Sequence, residues 1–279
     1  MVQKIKERFR LLLFVFTITV IALIYIYPVF LMFINSFKPF GEVVSSAISL
    51  PKKWAPENYS FVFTKMSYGQ LFFNTLLVTV IGIIGIVFFS ATAAYMLQRR
   101  KNKFTAFARL FIIVPMLIPF QTIMITLLKT MTVLHLTGSK IGLGMQYWGF
   151  GVPMAAFIYY NFMSTVPLEM DESAYIDGSG TSRTFARIIF PLLKPVTATI
   201  IVLDVMWIWN DFLLPLLMVN RSNNTKTLVL QAYTFVGQFN TEWHYAMTAM
   251  VLTIIPSVIF FIVLQKNIIA GVVAGAVKG

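Results

Sequence analysis

The sequence predicts an all-α integral membrane protein with six transmembrane helices and with amino and carboxyl termini in the cytoplasm. Three observations carry this reading. Hydrophobic residues make up 58% of the 279 residues and charged residues 11%, with a mean hydropathy of +0.80, far from a soluble balance. The apolar residues gather in runs long enough to cross a bilayer. Cations collect beside alternate ends of those runs. Lys4, Lys6, Arg8, Arg10, Arg99, Arg100, Lys101, Lys103, Arg109, Arg183, Arg187, Lys194, Lys266 and Lys278 fall in segments assigned to the inside, 14 of the 22 Lys and Arg, against 8 outside.

The first span is expected at about 11–34, where the run at roughly 1.5 Å per residue is long enough to cross with some tilt. It is too long for the core of a signal peptide and continues through Tyr25, Tyr27 and Pro28 into NSFKP, so it reads as an uncleaved span. Residues 36–71 mix Pro39, Pro51 and Pro56 with charges and with Trp54, Tyr59, Phe61 and Phe63, which suits the outer interface. The second span is placed at about 72–97, and the cluster from Arg99 to Arg109 marks the inside. The third, about 107–128, contains Pro115 and Pro119 and must be kinked or locally unwound, so it is expected to line something. The fourth, about 141–163, carries Gly142, Gly144, Gly149, Gly151 and Pro153, the composition of a closely packed, bent helix. The fifth and sixth are placed at about 196–219 and 245–269, separated by an outer loop. Together they form one transmembrane domain, 1–279, with an inner loop at 167–195.

That loop, PLEMDESAYIDGSGTSRTFARIIFPLLKP, carries its own helical signals. Pro167 suits a first turn, and Glu169, Asp171 and Glu172 complement the dipole of the helix that follows. Gly178 stands where a helix would end in a left-handed residue, Ser179, Gly180 and Thr181 continue the turn, and Ser182 is placed to cap a second helix. In that helix Phe185, Ile188, Ile189 and Leu192 share a face, and Pro191 disfavours helix at Phe190 and bends the chain back towards the membrane. The residues alone also allow an amphipathic loop resting on the lipid surface through Arg183, Arg187 and Lys194.

Glu172, Ala174, Gly178, Ile188 and Pro191 fit the pattern EAA, three residues, Gly, nine residues, Ile-x-Leu-Pro. Two positions depart from it: Ser173 replaces Ala and Phe190 replaces Leu. The loop resembles the cytoplasmic EAA loop of ABC importer permeases. NSFKP, PENY, WNDF with Pro215, and the final GVVAGAVKG are similar to the carbohydrate branch of that family, in particular to the smaller maltose-type permease subunit. The resemblance implies binding-protein-dependent import of a sugar or oligosaccharide across the cytoplasmic (inner) membrane of a prokaryote. It implies as partners a second permease subunit, two ATPase subunits that hold ATP and Mg, and an extracytoplasmic solute-binding protein. Coupling to the ATPase then falls to Glu172, Ser173, Ala174, Asp177, Gly178, Ser179, Gly180 and Pro191. The small residues among them let another surface approach the backbone. The tail, with Gly271, Gly275 and Lys278, is expected to reach between the two ATPase subunits; the alternative is an end with no fixed partner.

No enzyme chemistry is legible. GSGTSR at 178–183 lacks the lysine of a P-loop and follows a helix, and HExxH and GxSxG are missing. The chain is therefore expected to bind no cofactor or metal and to leave ATP hydrolysis to partners. With no cysteine there is neither a disulfide nor a thiolate metal site, and His135 and His244 lie apart without a motif. The net charge of +12 follows topology and shows no basic groove for nucleic acid. Asp204 and Asp211, seven residues or about 10.5 Å apart on one presumed helix, are too distant for an aspartyl dyad. With Trp207 and Asn210 they define a face expected to line the pathway, because intramembrane carboxylates need a partner or a water-filled cavity. The other reading is that Asn210 and Asp211 satisfy unwound backbone or an interhelical bond. A proton-coupled carrier using Asp204 and Asp211, or an ABC permease for a non-sugar solute, is the alternative function.

Overall fold

The computed structural model describes the backbone of residues 2–222, 224–237 and 241–276, and the side chains of 6–222, 224–237 and 241–265. Every regular element among them is helical. In order these are α1 (Val2–Ser36), α2 (Phe40–Ser45), α3 (Glu57–Lys65), α4 (Tyr68–Arg99), α5 (Lys103–Ile113), α6 (Phe120–Val133), α7 (Lys140–Met163), α8 (Glu169–Ile176), α9 (Thr181–Thr184), α10 (Phe190–Leu192), α11 (Lys194–Asn210), α12 (Leu213–Val219), α13 (Leu228–Ala232) and α14 (Trp243–Ala276). Three helices are long and apolar enough to cross a membrane, Lys6–Ser36, Tyr68–Arg99 and Trp243–Gln265. Two bent pairs qualify as broken spans, Lys103–Leu117 with Phe120–Val133 at 103° and Thr181–Leu192 with Lys194–Asn210 at 76°. α7, with 24 residues, has the length but is diluted by Gly, Tyr, Trp and Pro.

The described residues group into two compact units, the first comprising Met1–Tyr68 and Ala232–Ile254. In it the apolar residues 6–30 of α1 are exposed throughout. The chain beyond α1 is tied by polar side chains. Asn35 Nδ2 donates to Leu31 O (2.7 Å) and Ala47 O (2.8 Å), and Lys38 Nζ donates to Asn35 Oδ1 and Ser46 O, both at 2.9 Å. Asn58 Nδ2 donates to Ser36 O (2.9 Å) and Lys38 O (3.0 Å), Thr248 Oγ1 reaches Ser36 O at 3.0 Å, and the Ser36 and Tyr59 hydroxyls lie 2.6 Å apart. NSFKP and PENY, separate in sequence, thus lock onto each other. Lys38 is 0% exposed, and burial lowers its ammonium below the ordinary value while Glu42 opposes the shift.

The second unit comprises Gly69–Gln231 and Ile255–Gly279. Its core joins α4, α7, α11 and α12 through Val78, Ile86, Tyr147, Tyr159, Ile200 and Leu214. The glycines of α4 and α7 allow this approach: a Cβ on Gly151 would stand 2.3 Å from Ile86 Cδ1, and one on Gly85 2.0 Å from Trp148 Nε1. Space is used instead for Trp148, whose indole donates to Ile81 O at 2.8 Å. α7 itself runs unbroken through Pro153. The break expected at Pro115 and Pro119 is a 3₁₀ turn, Val114–Leu117, followed by extended Ile118.

Candidate coupling loop and pathway residues

α8 begins at Glu169, two residues after Pro167, and Glu169, Asp171 and Glu172 occupy its first turn. It ends at Ile176 with Asp177 as its C-cap, and Gly178 has φ +76°, the left-handed conformation expected of it. Gly178 N donates to Tyr175 O (3.0 Å) and Ser179 N to Ala174 O (2.9 Å), which closes the turn on the small side of the helix. Ala174 is buried, and Ser173 Oγ bonds back to Glu169 O at 2.7 Å. Glu172, Asp177, Gly178 and Gly180 are exposed, as are two large apolar residues, Tyr175 at 79% and Ile176 at 85%. A cleft of about 370 Å³ opens beside Glu172, Tyr175 and Ser179.

One end of α8 is pinned. Arg99, the last residue of α4, pairs with Asp171 at 2.9 Å, and its guanidinium also donates to Val166 O at 3.2 Å and Pro167 O at 3.4 Å. Tyr95 donates to Asp171 Oδ1 at 2.5 Å. Sequence reasoning counted Arg99 as a topological charge and Asp171 as a dipole partner; nothing in spacing alone joins residues so far apart.

Two expectations about the rest of the loop are corrected. Ser182 is not a cap: the second helical stretch begins at Thr181 after Gly180 without a side-chain cap, and Thr184 Oγ1 instead reaches Ser179 Oγ at 3.1 Å. Phe190 is helical, with φ −59° and ψ −39°, because the stretch passes through a π-helical segment, Phe185–Ile189, and Pro191 sits in the first turn of α10, where it removes no needed donor. The bend falls after Leu192, between Thr181–Leu192 and α11.

The pathway residues do not lie on one helix. α11 ends at Asn210, and Asp211 is extended, with ψ 137°. Asp211 Oδ1 accepts from Leu213 N at 3.1 Å, satisfying the start of α12, and Oδ2 accepts from Tyr147 at 2.8 Å. Asn210 Nδ2 donates to Met206 O at 2.7 Å, and its Oδ1 accepts from Ser257 at 3.1 Å. Asp211 thus satisfies backbone at the break, while Asn210 bonds within α11 and across to α14. Trp207 is 41% exposed and its ring meets Tyr147 edge-on, centroids 5.3 Å apart. Trp209 is fully buried between Phe72 and Phe260, which makes it packing. Asp204 Oδ2 is buried and has no hydrogen-bond partner among the described residues. Asp211, Trp207 and Tyr147 form one contiguous polar and aromatic group; Tyr147 had no signal in the sequence beyond its place in the glycine-rich span. In the tail Gly271 and Gly275 continue α14, while Lys278 lies outside the described residues.

Residues 86–273 match the family model described as binding-protein-dependent transport system inner membrane component. The chain is 39% identical over 93% of its length, and 94% of the relative's, to a probable starch degradation products transport system permease protein of Thermoanaerobacterium thermosulfurigenes. It is 32% identical over 94% of its length, and 95% of the relative's, to a multiple sugar-binding transport system permease protein of Streptococcus mutans. A melibiose/raffinose/stachyose import permease protein of Bacillus subtilis is 31% identical over 93% of this chain and 94% of its own. The fold is similar, with a TM-score of 0.80 at 20% identity over 94% of this chain and 97% of the other, to a solved bacterial ABC transporter involved in import of the acidic polysaccharide alginate. The chain belongs to the family of binding-protein-dependent transport system inner membrane components, the permease subunits of ABC importers.

Proposed function

We propose that this permease moves a sugar or oligosaccharide across the cytoplasmic membrane, driven by ATP hydrolysed in separate subunits to which the loop 167–195 couples it. It does so as one domain of six spans, near the positions given above, with both termini cytoplasmic and the third and fifth spans broken. A second permease, two ATPase subunits that bind ATP and Mg, and an external solute-binding protein complete the assembly. The observation that carries the coupling is α8, fixed at Asp171 to the end of a span while Tyr175 and Ile176 stand exposed beside Glu172. Such a helix offers an apolar anchor and a carboxylate to a partner cleft. The printed names of the relatives support a carbohydrate as cargo. Asp211, Tyr147 and Trp207 supply the acceptor, hydroxyl and ring face that such a cargo would need along its path.

ATP closes the ATPase pair, the helices docked in them approach, and the spans pass from inward-open to outward-open; for this, nucleotide must bind one state better than the other. Co-expression with the cognate ATPase tests the reading. The ATPase is expected to co-purify with the wild type and to be lost from Tyr175→Ser/Ile176→Ser, and uptake is expected to require all subunits. Uptake by this chain alone, driven by a proton gradient, would overturn it.

A further inference from the structure

We propose that the ends of α4 and α5 form a binding site for an anionic phospholipid, with its phosphate held by Lys101, Lys103 and Arg109 and an acyl chain lying along the exposed apolar face of α5. A cavity of about 400 Å³ is bounded there by these three cations with Asn102, Thr105 and Tyr160. No carboxylate lines it, and none of the three cations has an ion-pair partner among the described residues. Basic pockets between membrane helices at the inner face are where lipid headgroups bind.

Two features separate this place from an ordinary solvated run of charge. Arg109 is held: its Nη1 donates to the Tyr160 hydroxyl at 2.9 Å, and its guanidinium carbon lies 5.3 Å from the centre of that ring. One of its five donors is thereby used, and the guanidinium is tethered at the edge of the cavity. The helix that lines the polar cavity also carries an exposed apolar face: Phe104, Phe107, Leu110 and Phe111 of α5 are 62–75% exposed. A free phosphate would leave that face uncovered, whereas the acyl chain of a phospholipid covers it.

The choice of leaflet rests on the topology proposed above; the binding does not. The full chain, with whatever subunits co-purify, is titrated in detergent with phosphatidylglycerol and with phosphatidylcholine, and bound lipid is counted by native mass spectrometry. Phosphatidylglycerol is expected to bind at least about tenfold more tightly, and each neutralised cation to cost about fivefold. Arg109→Lys, which keeps charge and insertion, is expected to weaken binding as well, because the planar fork is lost. Lys6→Gln/Arg8→Gln, with two cations removed elsewhere, is expected to bind as wild type, and millimolar inorganic phosphate not to displace the lipid. The proposal falls if Arg109→Lys and Lys101→Gln/Lys103→Gln bind as wild type, or if the control loses lipid equally. It also falls if inorganic phosphate displaces the lipid, which would mark a free-phosphate site, or if these variants keep lipid and shed the ATPase, which would mark a protein contact. Recovery of ATPase with the wild type, scored in the same preparation, reports on the transporter reading separately.

Discussion

At the scale of single residues, Asp211 serves the fold at the break after α11, and its proposed place on the route of the cargo can be tested apart from that role. It accepts from Leu213 N and from Tyr147, and no cation stands among its hydrogen-bond partners. Asp211→Asn keeps an acceptor for the backbone and leaves no buried cation behind, so the assembled complex is expected to lose no more than about 1 kcal/mol, with uptake reduced. Tyr147→Phe removes the hydrogen bond to Asp211 and is expected to cost about 1 kcal/mol. Thermal melting and sugar uptake measured side by side check both; wild-type uptake in a stable Asp211→Asn complex would remove the carboxylate from the pathway. Lys38 gives a pH test. Its folded value is lowered, so the cost of burying the charge is fully present below that folded value, and stability is regained as pH rises through it towards the ordinary 10.5. The melting temperature of wild type relative to Lys38→Gln is expected to rise between neutral pH and pH near 10.

At the scale of elements, the loop at 167–195 was legible where backbone conformation speaks through residue type. Gly178 has the left-handed φ its place predicted, and Gly178→Val is expected to abolish uptake in a chain that still inserts, since a β-branched residue is disfavoured there. Uptake and membrane recovery measure it. The helix running through Phe190 was not legible, because a proline tolerated in a first turn and one that breaks a helix are the same letter. Nor was the fixation of α8, which depends on Arg99, Tyr95 and Asp171 meeting across the fold. Asp171→Ala is expected to destabilise the unit by about 3 kcal/mol, because the largely buried Arg99 loses its counter-charge, and to lower recovery of ATPase in a pull-down.

At the scale of the whole molecule, the family and the all-helical membrane class could be read from apolar runs and a few motifs, whereas the course of the spans could not. Hydropathy sums over a window and is blind to the break at Asp211–Phe212, where the fifth run was expected to continue as one helix and Asp204 and Asp211 to share its face. The absence of cysteine makes the topology directly testable. Single cysteines at Ser49 and Asn224 are expected to react with an impermeant maleimide in whole cells, and those at Asn102 and Ser179 only after permeabilisation. The attachment of α8 has a further consequence for how work enters the molecule. α8 is joined to α4 by a charged rivet and, through α9, α10 and the 76° bend, to α11 by the chain itself, and α4 and α11 share one packed core. A load applied at Tyr175 and Ile176 would therefore have two routes into the same packed core, so that bending of one of the two helices leaves the other route intact.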